Sequence, residues 1–454
     1  MAAISVITLS ALENFLDWSP EYYRQDFLSL ANSLRKWPTI KVGSVAFVTD
    51  GEHGSPEWDE NSGIRYITAE HIRPNEILDS EMRTISRRQD SRNSRCRLRE
   101  GDVLVYSVGA YSGFAACAEP HLFPASIPRS VAIIRLNEHA KINPAFLSVF
   151  LNSKFGLFQS YRFRAGNSQP VLALEKIRKY EIPLVSDVFQ EKIEELYSLA
   201  YRSRCDSRGL VHKAQSLLES EFGLDKLSCD KSIRFGARFS EVSLGQTISA
   251  NRIDAQCFSP SALQYEQALA KLQNVKPLRL LTASMLKGAQ QEESSTGKIP
   301  YASIKHIRNN EIVTEGSSLS FDGMPISYRN DLLLAITGAT IGKIGLVSRY
   351  EELTFSGDML AIRANGSIDP HYLLAVLSHC VGQVQLQRWI TGSTNGHLSP
   401  HDVGRVLVPR LDKETESKIA SLMKESIDKT HESERLLNQA KRLVEELIGK
   451  AIAA

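Results

Sequence analysis

The sequence has little cysteine, and what it has forms no pattern. Its six cysteines (Cys96, Cys117, Cys205, Cys229, Cys257 and Cys380) include no Cys-x-x-Cys pair. That argues against a disulfide framework or a zinc site and for a reducing compartment. Long apolar runs are missing too. No stretch approaches the ~18 uninterrupted apolar residues of a membrane span, and the first residues lack a basic region followed by an apolar core. The expectation is a soluble, cytoplasmic protein with no membrane partner. No charge sign dominates: 54 Lys and Arg against 52 Asp and Glu leave a net charge of +2, an average that can hide surfaces of either sign. Catalytic signatures are absent as well. The sequence contains no Asn/Asp-Pro-Pro-Tyr, no Gly-x-Gly-x-x-Gly, no His-Glu-x-x-His and no Gly-x-Ser-x-Gly, so neither a catalytic nor a metal-binding residue is expected.

What the chain does contain is a second copy of itself. Residues 64–77, Ile-Arg-Tyr-Ile-Thr-Ala-Glu-His-Ile-Arg-Pro-Asn-Glu-Ile, return at 299–312 as Ile-Pro-Tyr-Ala-Ser-Ile-Lys-His-Ile-Arg-Asn-Asn-Glu-Ile. Further on, Pro144, Gly156, Gln159, Arg162, Gly166 and Pro183 recur in unbroken register as Pro370, Gly382, Gln385, Arg388, Gly392 and Pro409. A repeat of more than ~200 residues is far longer than a solenoid unit and means a whole domain written twice. The 454 residues, 42% hydrophobic and 23% charged, suit two such domains plus helical segments.

Each copy opens with a short amphipathic helix, around Tyr22–Leu28 and Cys257–Leu263. Short apolar runs divided by Gly, Asn and Ser then read as strands and turns. A helix introduced by Asn143-Pro144 or Asp369-Pro370 follows, at about 144–160 and 370–388. A long helix closes each copy. The set Ile193, Leu196, Ala200, Ser203, Ser207, Leu210, Ala214 and Leu217 is spaced as a heptad seam. So is the set Ile419, Leu422, Ser426, Lys429, Ser433, Leu436, Ala440 and Leu443. Gly223 and Gly449 are the expected stops. Two packings compete: each helix on its own domain, or the two helices on each other. The second, antiparallel under an approximate twofold, makes Ile193, Leu196, Leu210, Leu217, Ile419, Leu422, Leu436 and Leu443 the pairing residues. The fold class expected is α+β: two domains of mixed α and β structure at 1–186 and 226–411, with long helices at 187–225 and 412–454.

Several segments suit nucleic-acid contact. The run Asp331-Leu-Leu-Leu-Ala-Ile-Thr-Gly-Ala-Thr-Ile-Gly-Lys343 is not a Walker loop, because residue 337 is Thr and Ile344 follows the lysine. Its glycines fit a tight turn, on which Thr340 and Lys343 are candidates for phosphate. The other copy keeps Gly109 and Gly113 but not the lysine, and differs through 109–116, where Tyr111 is the candidate. His71-Ile-Arg73 and Lys305-His-Ile-Arg308 offer Arg73, Lys305 and Arg308 for phosphate or guanine, with structural hydrogen bonding the competing role for the histidines. Seven arginines crowd 83–99 with a single acid, Asp90. That is either solvated surface or an electrostatic footprint for DNA, with Arg87, Arg88, Arg92 and Arg95 as its centre. Polar loops at 166–170 and 392–397 add Asn167, Asn395 and His397.

Taken together these pieces resemble the specificity subunit of a type I restriction–modification enzyme. Asp331–Lys343 is similar to that family's Asp-Val-Leu-Leu-Ala-x-Thr-Gly-Ala-Thr-Ile-Gly-Lys. The Gly-x-Thr-x3-Leu-Ser-x-x-x-Val…Val-Pro run at 392–409 and the opening Asp254-Ala-Gln-Cys-Phe-Ser-Pro260 resemble its other motifs, and the order of domains and helices is alike over nearly the whole chain. The resemblance implies two target-recognition domains, each reading half of a split double-stranded DNA target, with paired helices fixing the gap. It implies no enzyme activity and no directly bound cofactor. The implied partners are two methyltransferase subunits carrying S-adenosylmethionine, which a translocating restriction subunit can join. Two alternatives compete: a specificity or scaffold subunit of a related phage-defence complex, and a nuclease or methyltransferase with its own active site.

Overall fold

The computed structural model describes residues 20–79, 82–166, 169–223, 252, 255–272, 274–290, 298–314, 319–320, 323–392 and 395–450. The chain divides into two compact units, Met1–Arg202 with Ser433–Ala454, and Ser203–Glu432. Each unit holds one copy of the repeat together with part of both long helices, Asp187–Phe222 and Lys413–Lys450.

In the first unit a helix, Gln25–Leu34, leads to an antiparallel sheet in the order Ala46–Asp50, Val131–Leu136, Val103–Tyr106, Ala115–Cys117. Its central strands are continuous apolar runs because both faces are covered. Val103 and Val105 pack against Phe146 and Phe150, whereas Leu104 faces Ile67, Ile72 and Ile77. A smaller sheet joins Ile64–Tyr66 to Thr84–Ile85 and Ala125–Ser126. Just before the long helix, Glu181–Pro183 pairs with Thr39–Lys41 near the start of the copy.

The second unit repeats this plan. Thr282–Lys287, Met359–Ala364, Leu332–Ala335 and Ile344–Leu346 follow the same order, and Leu407–Pro409 returns to Val275–Pro277. Here the hairpin Ile307–Arg308/Glu311–Ile312 joins the main sheet through one parallel pairing, Glu311 with Leu346. Asn75 and Asn310 hold the same hairpin corner in left-handed backbone (φ 61° and 63°), a conformation asparagine tolerates.

The helices expected at 144–160 and 370–388 are each two: Pro144–Leu151 and Lys154–Phe163, Pro370–Ser378 and Cys380–Arg388. Ser153 and His379 cap the second member of each pair, so a side chain that satisfies a new N-terminus breaks the run. The repeated Gly156 and Gly382 then become intelligible. A Cβ there would lie 2.4 Å from the Phe150 carbonyl oxygen and 2.5 Å from that of Val376. Gly223 ends the first long helix with φ +60°, but the second runs through Gly449 to Lys450.

Within each unit the globular part and the helix segments share one core. In the first, Ile193, Tyr197, Ala440, Val444 and Ile448 pack with Phe146 and Phe150. In the second, Ala214, Leu218, Phe222, Ile419, Met423 and Ile427 pack with Leu373 and Leu377. The early part of one helix thus goes with the late part of the other, the order an antiparallel pair requires. Leu196, Leu217, Leu422 and Leu443 are half-buried beside these clusters, as is Leu210, while Leu436 is buried.

Candidate nucleic-acid interface

Two turns distant in sequence are joined in each copy, by the same backbone bonds. In the first, the strand ending at Tyr106 enters the turn Gly109–Gly113. Gly113 N donates to Tyr106 O (2.8 Å), Phe114 N to Tyr111 O (3.1 Å), and Tyr106 N to Phe114 O (2.8 Å). In the second, Gly342 N donates to Ala335 O (3.0 Å), Lys343 N to Thr340 O (3.1 Å), and Ala335 N to Lys343 O (2.8 Å). The glycines Gly109, Gly113, Gly338 and Gly342 all have positive φ, which explains their recurrence without any phosphate.

The polar loops close onto these turns. Gly109 N donates to Pro170 O (2.8 Å) and Gly338 N to Gly396 O (3.2 Å). Val108 bridges Val171, as Thr337 bridges His397. Tyr111, Thr340, Lys343 and Asn395 are exposed and His397 is half-buried. Tyr111, Thr340, Lys343, Asn395 and His397 therefore lie on two equivalent composite edges, one per unit. Asn167 lies outside the described residues.

The acids that begin these strands are structural. Asp102 accepts from Arg135 Nε and Nη2, both at 2.7 Å, and Asp331 accepts from Arg363 Nε at 2.9 Å and Nη2 at 2.8 Å. His71 and His306 are buried, and their Nδ1 atoms accept from Thr68 N (3.0 Å) and Ser303 N (2.9 Å). Such an imidazole carries its proton on Nε2 and caps a short turn. Arg73 folds back to donate to the Glu70 and Ile72 carbonyls (2.8 and 3.0 Å). Its guanidinium lies near Tyr106, whose hydroxyl is pushed upward in pKa by burial and partly offset by that charge. Lys305 and Arg308 are exposed.

The arginine-rich segment forms a short helix, Arg87–Arg92, capped by Ser86. Several of its charges are already engaged. Arg92 pairs with Glu57, Arg97 with the buried Asp90, and Arg95 donates to Thr49 Oγ1 (3.1 Å) beside Asp50 (3.6 Å). Arg87 and Arg88 are exposed; the Glu57 carboxyl is held below its ordinary pKa chiefly by the Ser86 hydrogen bond, then by Arg92, and least by the Arg88 charge. Arg83 stacks over Trp58 at 3.7 Å, and Trp58, Met82 and Thr84 help line a surface pocket of about 270 Å³. The composition signalled the charge and Asp90 but not Glu57 and Asp50, which come from much earlier in the chain.

Side chains on the long helices fix each globular part in place. Tyr197 donates to Asn75 O (3.2 Å) and accepts from Cys117 N (3.3 Å), and Glu445 accepts from Lys154 N (2.7 Å). In the second unit Glu219 meets His379 Nε2 (3.0 Å), and His431 meets the buried Glu311 (2.7 Å). Glu219, His379 and Cys380 approach closely enough to suggest a metal cluster among the described residues. However, His379 Nδ1 already accepts from Val381 N. That leaves the proton on Nε2, aimed at Glu219, and the group reads as a docking contact.

The fold and these edges define a class of protein: one chain with two copies of an α+β domain, each tied to long helices and each presenting its own composite edge. No family model matches the sequence, and no curated protein matches it. Among solved structures, the chain is similar to a type I restriction–modification system S subunit from M. genitalium, with TM-score 0.38 and 14% identity over 91% of this chain and 96% of that one. It is similar also to the HsdS subunit from Thermoanaerobacter tengcongensis, with TM-score 0.29 and 15% identity over 92% and 96%. A third similar structure comes from work on complex assembly and conformational transition of the type I R-M system, with TM-score 0.30 and 14% identity over 91% and 97%. Among the described residues, no helix is long and apolar enough to cross a membrane.

Proposed function

We propose that the protein is a non-catalytic DNA sequence-recognition subunit of the type I restriction–modification kind. It reads an asymmetric, bipartite double-stranded target and directs methyltransferase subunits, and a restriction subunit where present, to that target. The observation carrying this reading is one backbone frame used twice with different exposed side chains: Tyr111 in one copy, Thr340, Lys343 and Asn395, beside the half-buried His397, in the other. A twofold frame with two unlike edges suits a target whose halves differ. The motif resemblance at 331–343 and 392–409 supports the same reading.

In this proposal 1–186 and 226–411 are the target-recognition domains, and the helices at 187–225 and 412–454 set the gap between half-sites. Arg73, Arg87, Arg88, Arg92, Arg95, Lys305 and Arg308 supply DNA contacts with the two edges. S-adenosylmethionine belongs to the partner methyltransferase, not to this chain. The experiment is methylation mapping in cells with and without the gene, which should remove a split motif of unequal halves. Deleting one heptad from each long helix should shorten the gap and leave the halves alone; an unchanged gap would sink the spacer role. Replacing Arg87, Arg88, Arg92 and Arg95 by Ala should weaken DNA binding and flatten its dependence on salt.

A further inference from the structure

The turn that the two copies share carries opposite chemistry at its two outward positions. The backbone bonds set Tyr106 against Ala335, Tyr111 against Thr340, Gly113 against Gly342 and Phe114 against Lys343. The second copy therefore presents a hydroxyl and an ammonium where the first presents two aromatic rings. Those rings are ordered on each other. Tyr111 and Phe114 stack at 5.5 Å with 19° between their planes, and Tyr106 meets Tyr111 edge-on at 6.3 Å. Phe114 is rooted against the core that contains Leu104 and Ala116, while Tyr111 is 50% exposed. A rigid ring left half in solvent, on a turn pinned by its own hydrogen bonds, is a platform with little entropy left to lose on contact.

The second turn is pinned differently. Gln383 donates to Gly342 O (2.8 Å) and Gln387 to Ile341 O (2.9 Å), both from the helix Cys380–Arg388. Lys343 and Thr340 are thereby held outward on a fixed backbone. An ammonium and a hydroxyl at such a site suit phosphate oxygens, which fix register without reading sequence.

We infer, resting on the DNA-recognition reading above, that the two edges bind by different chemistry. Tyr111, supported by Phe114, contacts nucleobases in one half-site, whereas Lys343 with Thr340 grips a backbone phosphate in the other. Base–aromatic contact releases no counterion and leaves salt dependence alone, while each lost phosphate contact lowers the slope of log K against log salt by about 0.9.

The test uses the purified full chain and a pool of random-sequence duplex DNA. Bound molecules are sequenced, and affinity for the enriched duplex is followed from 50 to 200 mM salt, a range that exposes counterion release. Tyr111→Ala is expected to bind the enriched duplex roughly tenfold more weakly through lost contact with base edges, to relax base preference in one half-site, and to keep the wild-type salt slope. Lys343→Ala is expected to keep both preferences and to lower the slope by about one. The double change Tyr111→Thr with Phe114→Lys, which gives the first turn the chemistry of the second, should erase one half-site preference and steepen the slope. Native-like thermal melting of each variant establishes folding first. Tyr111→Ala with both preferences intact, or with a flattened slope, overturns the inference. If the wild-type chain enriches no sequence at all, the DNA-recognition reading itself falls.

Discussion

The two copies agree in the backbone hydrogen bonds of their shared turn and differ in what that turn holds out to solvent. Asp102–Arg135 and Asp331–Arg363 are the same clamp. Gly156 and Gly382 are the same close approach, and the Gly109 and Gly338 turns are the same turn. Around this shared frame the first copy adds an arginine-bearing helix and an aromatic pair, and the second a lysine, a threonine and a histidine. Buried groups resist change because each has several partners to satisfy, whereas an exposed side chain on a fixed turn can be exchanged at small energetic cost. Under the proposed function, such a frame would let one half of a target change without refolding the reader.

The comparison can be strained first at the clamps, where the effect should be largest. Asp102 is 1% exposed and its partner Arg135 17%. Asp102→Ala should destabilise the first unit by about 3–5 kcal/mol, since it leaves a guanidinium unpaired over a buried strand. Arg363 is 39% exposed, so Asp331→Ala should cost clearly less because solvent screens the orphaned charge. Hydrogen exchange of peptides from each copy, read along a urea series, separates the two. Equal losses would mean the clamps are not graded by burial.

The glycine contacts should instead behave alike. Gly156→Ala and Gly382→Ala each force a Cβ into a neighbouring backbone, and each should cost about 1–3 kcal/mol in its own unit. Exchange protection lost in one unit only would break the equivalence.

Docking on the helices is a weaker contrast. At the hairpin the first copy docks through a neutral phenol, and Tyr197→Phe should cost about 1 kcal/mol for the lost hydrogen bonding. The second copy uses a carboxylate. Burial alone would raise the pKa of Glu311, but hydrogen bonds from His431, Ser348 and Arg349 and the Arg349 charge outweigh it and hold it below 4.5. A depressed carboxylate contributes stability that is present above its unfolded value and lost as pH falls through the folded one. The second unit should therefore lose stability on acidification below about 4.5. His431→Ala raises the folded pKa of Glu311, so that loss should be smaller and be complete at a higher pH, a shift to be read from pH-dependent exchange. No displacement of the acid limb in His431→Ala would remove His431 from the docking contact.

Much of this frame was legible in the sequence, because duplication exposes whatever both copies must keep. The Pro-introduced helices, the turn glycines and the long helices all follow from positions that recur. The rest depended on contacts that no spacing encodes. A heptad places Leu196 and Leu217 on the seam, where they are only half-buried, whereas Tyr197, Leu218, Met423 and Ile427 off the seam are buried, as are the seam's Ile193, Ala214, Ile419 and Ala440. Each helix must cover a globular body as well as its partner helix, which widens and rotates its buried face. The break at Ser153 and His379 was hidden inside an apolar run that reads as one helix. That Phe114 stands where Lys343 does follows from the shared glycines, but the stacking of Tyr111 on Phe114 needed the folded turn. Arginines counted as a footprint were partly committed to Glu57, Asp50 and Asp90, acids remote in sequence or masked by the charge run.

The central claim is that a common frame carries two independent reading surfaces. Its most direct test is methylation mapping in the native host after residues 109–114 are replaced by the sequence of 338–343. The account predicts that one half of the split motif changes or is lost, while the other half and the gap stay as they were. Loss or alteration of both halves together, or a motif left wholly unchanged, would contradict it.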